Sequence, residues 1–139
     1  MKVTAAAATP TRYGPAEYFT GAVTQDPIGT TPVDHPVTAL KVHFPPSART
    51  HWHTHPQGQT LHVLSGLGLV QKEGETCYLI GPGDTVWIAP NERHWHGARP
   101  GHQMVHLAFQ HVVDGSGVSW AEAVSDEDYA IAAETAQRP

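Results

Sequence analysis

The chain has 139 residues, 40% of them hydrophobic and 15% charged, and its 8 Lys and Arg against 13 Asp and Glu leave a net charge of −5. That length predicts one domain over 1–139, able to bury roughly two-thirds of its unfolded surface, and the modest charge with ordinary apolar content excludes a disordered chain. There is no basic block for a nucleic-acid surface and no apolar run near the ~18 residues of a membrane span. The opening Met1-Lys2-Val3-Thr4-Ala5 is too polar for a signal peptide, and Cys77 alone permits no internal disulfide, so a cytoplasmic location is expected.

Thirteen Gly and twelve Pro predict many turns. No 3.6-residue apolar period is sustained between residues 19 and 113. Short alternating runs predict strands at 19–23, 37–44, 51–55, 60–64, 68–72, 76–80, 85–88, 94–98 and 103–113. Breakers such as Pro45-Pro46, Glu73-Gly74, Pro90-Asn91 and Pro100-Gly101 separate them. Short strands at this spacing predict an all-β sandwich or barrel, with its body over about 37–113 and an N-terminal arm over 1–36. Ser119 and Glu122 have capping-box spacing, and Ser125 is a second cap candidate. The tail over 119–139 is therefore expected to hold one or two short helices within 120–135. Trp52, Trp87 and Trp95 are expected in the core or barrel wall.

Histidine, at 11 residues, outnumbers Lys and Arg together. It is the commonest metal ligand and the side chain that titrates near neutrality. In His51-Trp52-His53-Thr54-His55, strand alternation sends His51, His53 and His55 to one face. Gln59 follows the Pro56–Gly58 turn, so a hairpin brings its amide back beside His53 and His55. His94 and His96 form another alternating pair. Three imidazoles and one side-chain oxygen, converging from separate strands, suit an open-coordination site for a divalent transition metal. His35, His43, His62, His102 and His111 are expected to be structural or solvent-facing. In 103–113, Met104, His106, Ala108 and Gln110 share one face and Val105, Leu107, Phe109 and His111 the other. Periodicity leaves the inward face open, and apolarity favours the odd set.

These residues resemble the cupin superfamily. In its first motif Ser47 takes the leading glycine position, followed by His53-Thr54-His55, Gln59 and Gly66. In its second, Gly83-Asp84 and His94 keep the family offset, although the proline is displaced to Pro90. The resemblance implies a jelly-roll barrel, a double-stranded β-helix. A closer likeness is to small bacterial cupins with manganese-dependent hydroxynitrile lyase activity. It is carried by the runs Gly14-Pro15-Ala16-Glu17-Tyr18-Phe19-Thr20-Gly21, Ala48-Arg49-Thr50 and His94-Trp95-His96-Gly97, by His106-Leu107-Ala108, and by Gln110 and Trp120. It implies metal ligands at His53, His55, Gln59 and His94, and a pocket histidine at His106 as catalytic base, with His96 its competitor. It also turns His106 and Gln110 inward, so that Leu40, Val42 and Gln110 shape the substrate pocket. Mn(II) is the implied cofactor, with Fe(II), Zn(II) or Ni(II) as alternatives.

Gln59 in place of the family's usual glutamate leaves the full +2 charge at the site, which favours binding of an anion such as cyanide or an alkoxide. The expected activity is cleavage of a small-molecule cyanohydrin to an aldehyde or ketone and hydrogen cyanide, with a near-neutral histidine moving the proton. The rivals are a metal-dependent dioxygenase, a sugar or keto-acid isomerase and a ligand-binding module, among which fold alone does not choose. An outward apolar row of Val105, Leu107 and Phe109 predicts a homodimer or homotetramer.

Overall fold

The computed structural model describes every residue except Lys2, Thr31, Pro32 and His35. His35, expected to be structural or solvent-facing, lies outside the described residues. After a short 3-10 turn at Ala6–Ala8 the chain runs through β1 (Arg12–Tyr13), β2 (Phe19–Thr20), β3 (Thr24–Thr30), β4 (Val37–Phe44), β5 (Arg49–Thr50), β6 (His53–Thr54) and β7 (Gln59–Gly66). It continues with β8 (Gly68–Lys72), β9 (Tyr78–Ile80), β10 (Thr85–Ile88), β11 (His94–Ala98), β12 (Met104–His111), β13 (Ser119–Trp120) and one helix, α1 (Asp126–Thr135). One sheet has the order β1-β3-β4-β12-β7-β10. The other runs β13-β6-β11-β5-β2, with β8 and β9 joined to it through β11. The two sheets are antiparallel and pack their inner faces together, the all-β architecture expected from the strand and turn pattern and the jelly-roll implied by the family resemblance.

The central strand β12 decides what faces inward. Met104, His106 and Ala108 are buried, while Val105, Leu107 and Phe109 are only half-buried on the outer face. The more apolar row is thus the outer one, because the inner row must make room for a polar site. Across the register, His106 stands opposite Val42 and Ala108 opposite Leu40. The core between the sheets gathers Phe19, Val23, Val42, Phe44, Val63, Ile80 and Met104. A second cluster of Leu69, Cys77, Trp95, Val124, Tyr129 and Ala132 lies beneath α1. Burial pushes the Cys77 thiol up to about 12, so it stays a protonated, unreactive hydrophobe.

Three expectations are corrected. First, besides the expected strand at β2, the segment assigned to an N-terminal arm contributes β1 and β3, and β3 pairs along most of β4. Pro27 and Gly29 hid that strand. They are accommodated by a register shift between them, on the side of β3 that lies beyond its short pairing with β1. Second, Ser119 and Glu122 make no helix cap. Ser119–Trp120 pairs with β6, and Trp52 exchanges backbone hydrogen bonds with Ala121 and Glu122, so tertiary pairing overrides the local pattern. The helix begins only after Ser125, whose Oγ accepts from the Asp128 N–H at 3.0 Å, and Asp126, Glu127 and Asp128 complement its positive end. Third, Trp87 is 63% exposed, because in β10 it alternates with the buried Ile88. Trp95 is fully buried as expected, and Trp52 is half-buried beneath the Arg93 guanidinium.

Arg49 fastens α1 to the second sheet. Its side chain is almost fully buried, donates twice to the Val124 carbonyl and once to Asp126, and lies 4.4 Å over the Tyr129 ring. The Tyr129 hydroxyl in turn donates to the Ala98 carbonyl at 2.6 Å. Beneath this clamp β5 and β11 approach so closely that a Cβ on Gly97 would lie 2.4 Å from the Ala48 carbonyl oxygen. Among the described residues no helix is long and apolar enough to cross a membrane.

Candidate metal centre

Four elements bring the histidines together. His53 on β6 sits directly across from His94 at the start of β11, and their ring centroids are 4.2 Å apart. His55 follows β6 and enters the turn to β7. Gly58 holds that turn at φ +78°, where a Cβ would meet the Ile88 carbonyl oxygen at 2.5 Å. Only glycine accepts both constraints, and the turn delivers Gln59 beside His55. His96 lies two residues along β11 and His106 on β12, with 4.9 Å between their centroids. All five histidines and Gln59 are buried. His51 is half-buried and contributes its carbonyl rather than its ring.

Backbone carbonyls orient three of these rings. His53 Nδ1 donates to the His51 carbonyl at 2.9 Å, His55 Nδ1 to Gly117 at 2.6 Å and His94 Nδ1 to Glu92 at 2.8 Å. A carbonyl only accepts, so each Nδ1 carries the hydrogen and each Nε2 presents a bare lone pair, the tautomer a metal-binding histidine needs. His55 Nε2 is buried with no hydrogen-bond partner. His94 Nε2 faces Gln59 Oε1 at 3.4 Å, two acceptors with no hydrogen between them, an arrangement that calls for a cation. Burial keeps the rings neutral: it lowers His94 to about 4, His53 well below its ordinary value, and His55 in the same direction. A buried cluster of neutral nitrogen donors and one amide oxygen therefore fits a divalent transition ion.

Two overlapping donor sets exist. The ring nitrogens of His53, His94 and His96 lie within 4.8 Å of one another and could hold a metal ion. The carbonyl-anchored set is His53, His55 and His94, with Gln59. They differ in having either His96 or His55 and Gln59; the Nδ1 of His96 is engaged by His106 Nε2 at 3.3 Å and its backbone N–H donates to Thr50 Oγ1. Burial lowers His96 well below its usual value and His106 to about 4, so the near-neutral histidine expected from sequence is not found at either position. His106 Nδ1 is buried without a partner.

The site opens into a cavity of about 280 Å³ lined by His53, His55, Gln59, His96 and His106. Leu40, Val42 and Gln110, the residues expected to shape a substrate pocket, also line this cavity. The rest of the wall was not assigned from the residues. Tyr18 and Trp120 stack at 4.7 Å and 10°, and Trp120 also lies 4.7 Å from the His53 ring. Pro15, Phe19, Phe44 and Val118 add apolar groups to the wall, and Gln25 and Thr50 polar ones. The signal for Tyr18 and Trp120 lay in the family-like runs, since no periodicity connects residues a hundred positions apart. Away from the site, His43 and His62 bond Gln103 and Thr85, and His102 and His111 are exposed.

Two packed antiparallel sheets with a histidine cluster between them define a small β-barrel of the cupin type, and residues 40–110 match the Cupin domain family. The chain belongs to that family. Over 116 residues, covering 84% of this chain and 88% of the relative, it is 52% identical to an (R)-mandelonitrile lyase of Granulicella tundricola. Among solved structures it is similar to a cupin-like protein from Thermotoga maritima, with TM-score 0.83 and 38% identity over 88% of this chain and 92% of that one. It shares its fold with the polyketide cyclase RemF from Streptomyces resistomycificus, at TM-score 0.67 and 20% identity over 93% and 90% of the two chains.

Proposed function

We propose that this protein is a divalent-metal-dependent lyase of the hydroxynitrile type, cleaving a cyanohydrin to a carbonyl compound and hydrogen cyanide. The observation that carries this reading is the trio of carbonyl-anchored histidines, His53, His55 and His94, each with a bare Nε2, with the Gln59 oxygen 3.4 Å from that of His94, beside a cavity. We assign these four residues as ligands. Manganese is the ion favoured by the family likeness, and the donor types also suit Fe(II), Zn(II) or Ni(II). A bound divalent ion supplies Lewis acidity toward an anion or a developing negative charge.

The remaining work falls to the chain. Gln59 is neutral and leaves the charge of the site undiminished. Leu40, Val42, Tyr18 and Trp120 hold the substituent of the cyanohydrin and exclude water. His106, uncharged because it is buried, takes the hydroxyl proton, and His96 shares it across their 3.3 Å contact. As the O–H bond breaks, the carbonyl forms, the C–CN bond breaks and its electron pair leaves on cyanide. An imidazolium formed in so dry a site is strongly acidic and gives its proton to cyanide, closing the balance.

The test is elemental analysis of the purified protein, followed by parallel assays with (R)-mandelonitrile for aldehyde release and oxygen uptake. One equivalent of a divalent ion and cleavage without oxygen consumption are expected. Oxygen uptake, or a metal-replete protein inert toward cyanohydrins, would overturn the reading.

A further inference from the structure

Gln59 differs from a carboxylate in having two unlike ends, and only its oxygen can ligate a metal. Something must decide which end faces the histidines. Gln59 opens β7 and stands directly opposite Gln110 in the β7–β12 register, both side chains reaching the cavity. Gln59 Nε2 donates to Gln110 Oε1 at 3.3 Å, while Gln59 Oε1 is left 3.4 Å from His94 Nε2. Were the Gln59 amide turned over with Gln110 left in place, two oxygens would face each other, and the NH2 group would point at the cluster.

We infer that Gln110 is a positioning residue for the metal centre, whose amide oxygen holds the Gln59 NH2 group and so commits the Gln59 oxygen to the ion. This rests on the proposed ligand set and changes the expected role of Gln110, which acts through Gln59 as well as bordering the substrate space. It also accounts for an amide serving where a carboxylate would need no such partner. A carboxylate presents oxygen whichever way it turns.

That contrast supplies the test. Mn(II) affinity is measured by calorimetry and by the free-ion EPR signal for the wild-type chain, Gln110→Leu, Gln59→Glu and the double variant. Melting in EDTA confirms that each is folded. Gln110→Leu is expected to weaken Mn(II) binding by about 10- to 100-fold, the usual cost of losing a group that orients a ligand. In the Gln59→Glu background the same change is expected to cost less than about threefold, because there is no longer an end to choose. Equal losses in both backgrounds would mean that Gln110 acts by packing alone. Unchanged affinity in Gln110→Leu, with a raised KM, would leave it only a substrate contact. Either result overturns the inference while the metal reading stands. A wild-type chain that binds no Mn(II) would instead remove the ligand set itself, and this role with it.

Discussion

His106 Nε2 lies 3.3 Å from His96 Nδ1, so the two buried imidazoles share one hydrogen and take up or release a proton as a unit. If the unit accepts the substrate proton through His106, the His106→Ala protein should keep its metal and lose about 10²- to 10⁴-fold in turnover. Rates on a metal-replete sample, with ion content measured on the same batch, check this. Unchanged turnover would move the role to His96.

The two donor sets that share His53 and His94 are separated by single substitutions. His55→Ala should abolish stoichiometric metal, because it removes an Nε2 that is otherwise unpartnered. His96→Ala should keep one equivalent, since that ring is already engaged by His106. Inductively coupled plasma analysis of dialysed protein reads both. The reverse pattern would make His96 the third nitrogen ligand.

Acid should destabilise the metal-free protein well before its carboxylates titrate. Burial lowers His94 and His106 from 6.5 to about 4, so the unfolded chain binds more protons than the folded one in between. Their contribution is complete above the unfolded value and disappears as the pH falls toward the folded one. Each is expected to cost about 2 kcal/mol between about pH 7 and pH 5. The lowered values of His53, His55 and His96 act in the same direction. Urea unfolding in EDTA at the two pH values gives the difference. A flat profile would contradict the burial of these rings.

The Arg49 clamp is expected to be asymmetric. Arg49→Ala strips buried hydrogen bonds and the stacking on Tyr129, and should cost about 3 kcal/mol. Asp126 is the exposed end of the same ion pair, and Asp126→Ala should cost less than about 1 kcal/mol. Denaturant midpoints for the two variants decide it, and equal losses would show that the pair is worth more than its solvent-facing half allows.

Much of the barrel and the site was legible because both are local patterns. A strand alternates with period two, so His53 and His55 announce a shared face, and the turn through Gly58 announces where Gln59 returns. What was hidden depends on distant chain. Pro27 and Gly29 mask β3 because a strand signal assumes an unbroken ladder, whereas the register shift makes room for them. The Ser119 cap failed because Trp52, far away in sequence, claimed the backbone first. The inward face of β12 could not be read from apolarity, since the site itself makes the inner row the more polar one. Trp120 and Gly117 carried no local mark of their work on His53 and His55.

The carbonyl that orients His55 belongs to Gly117, 62 residues downstream, and the ring stacked on Trp120 is Tyr18. The pocket is thus closed by the two outer portions of the chain wrapped over the middle. Contacts so far apart in sequence form late, because the intervening loop entropy is lost before they contribute. On a ribosome the His-x-His segment emerges well before the partner that fixes its second ring. The arrangement of the His-x-His pair should therefore be completed only when residues 117–120 close over it, late in folding.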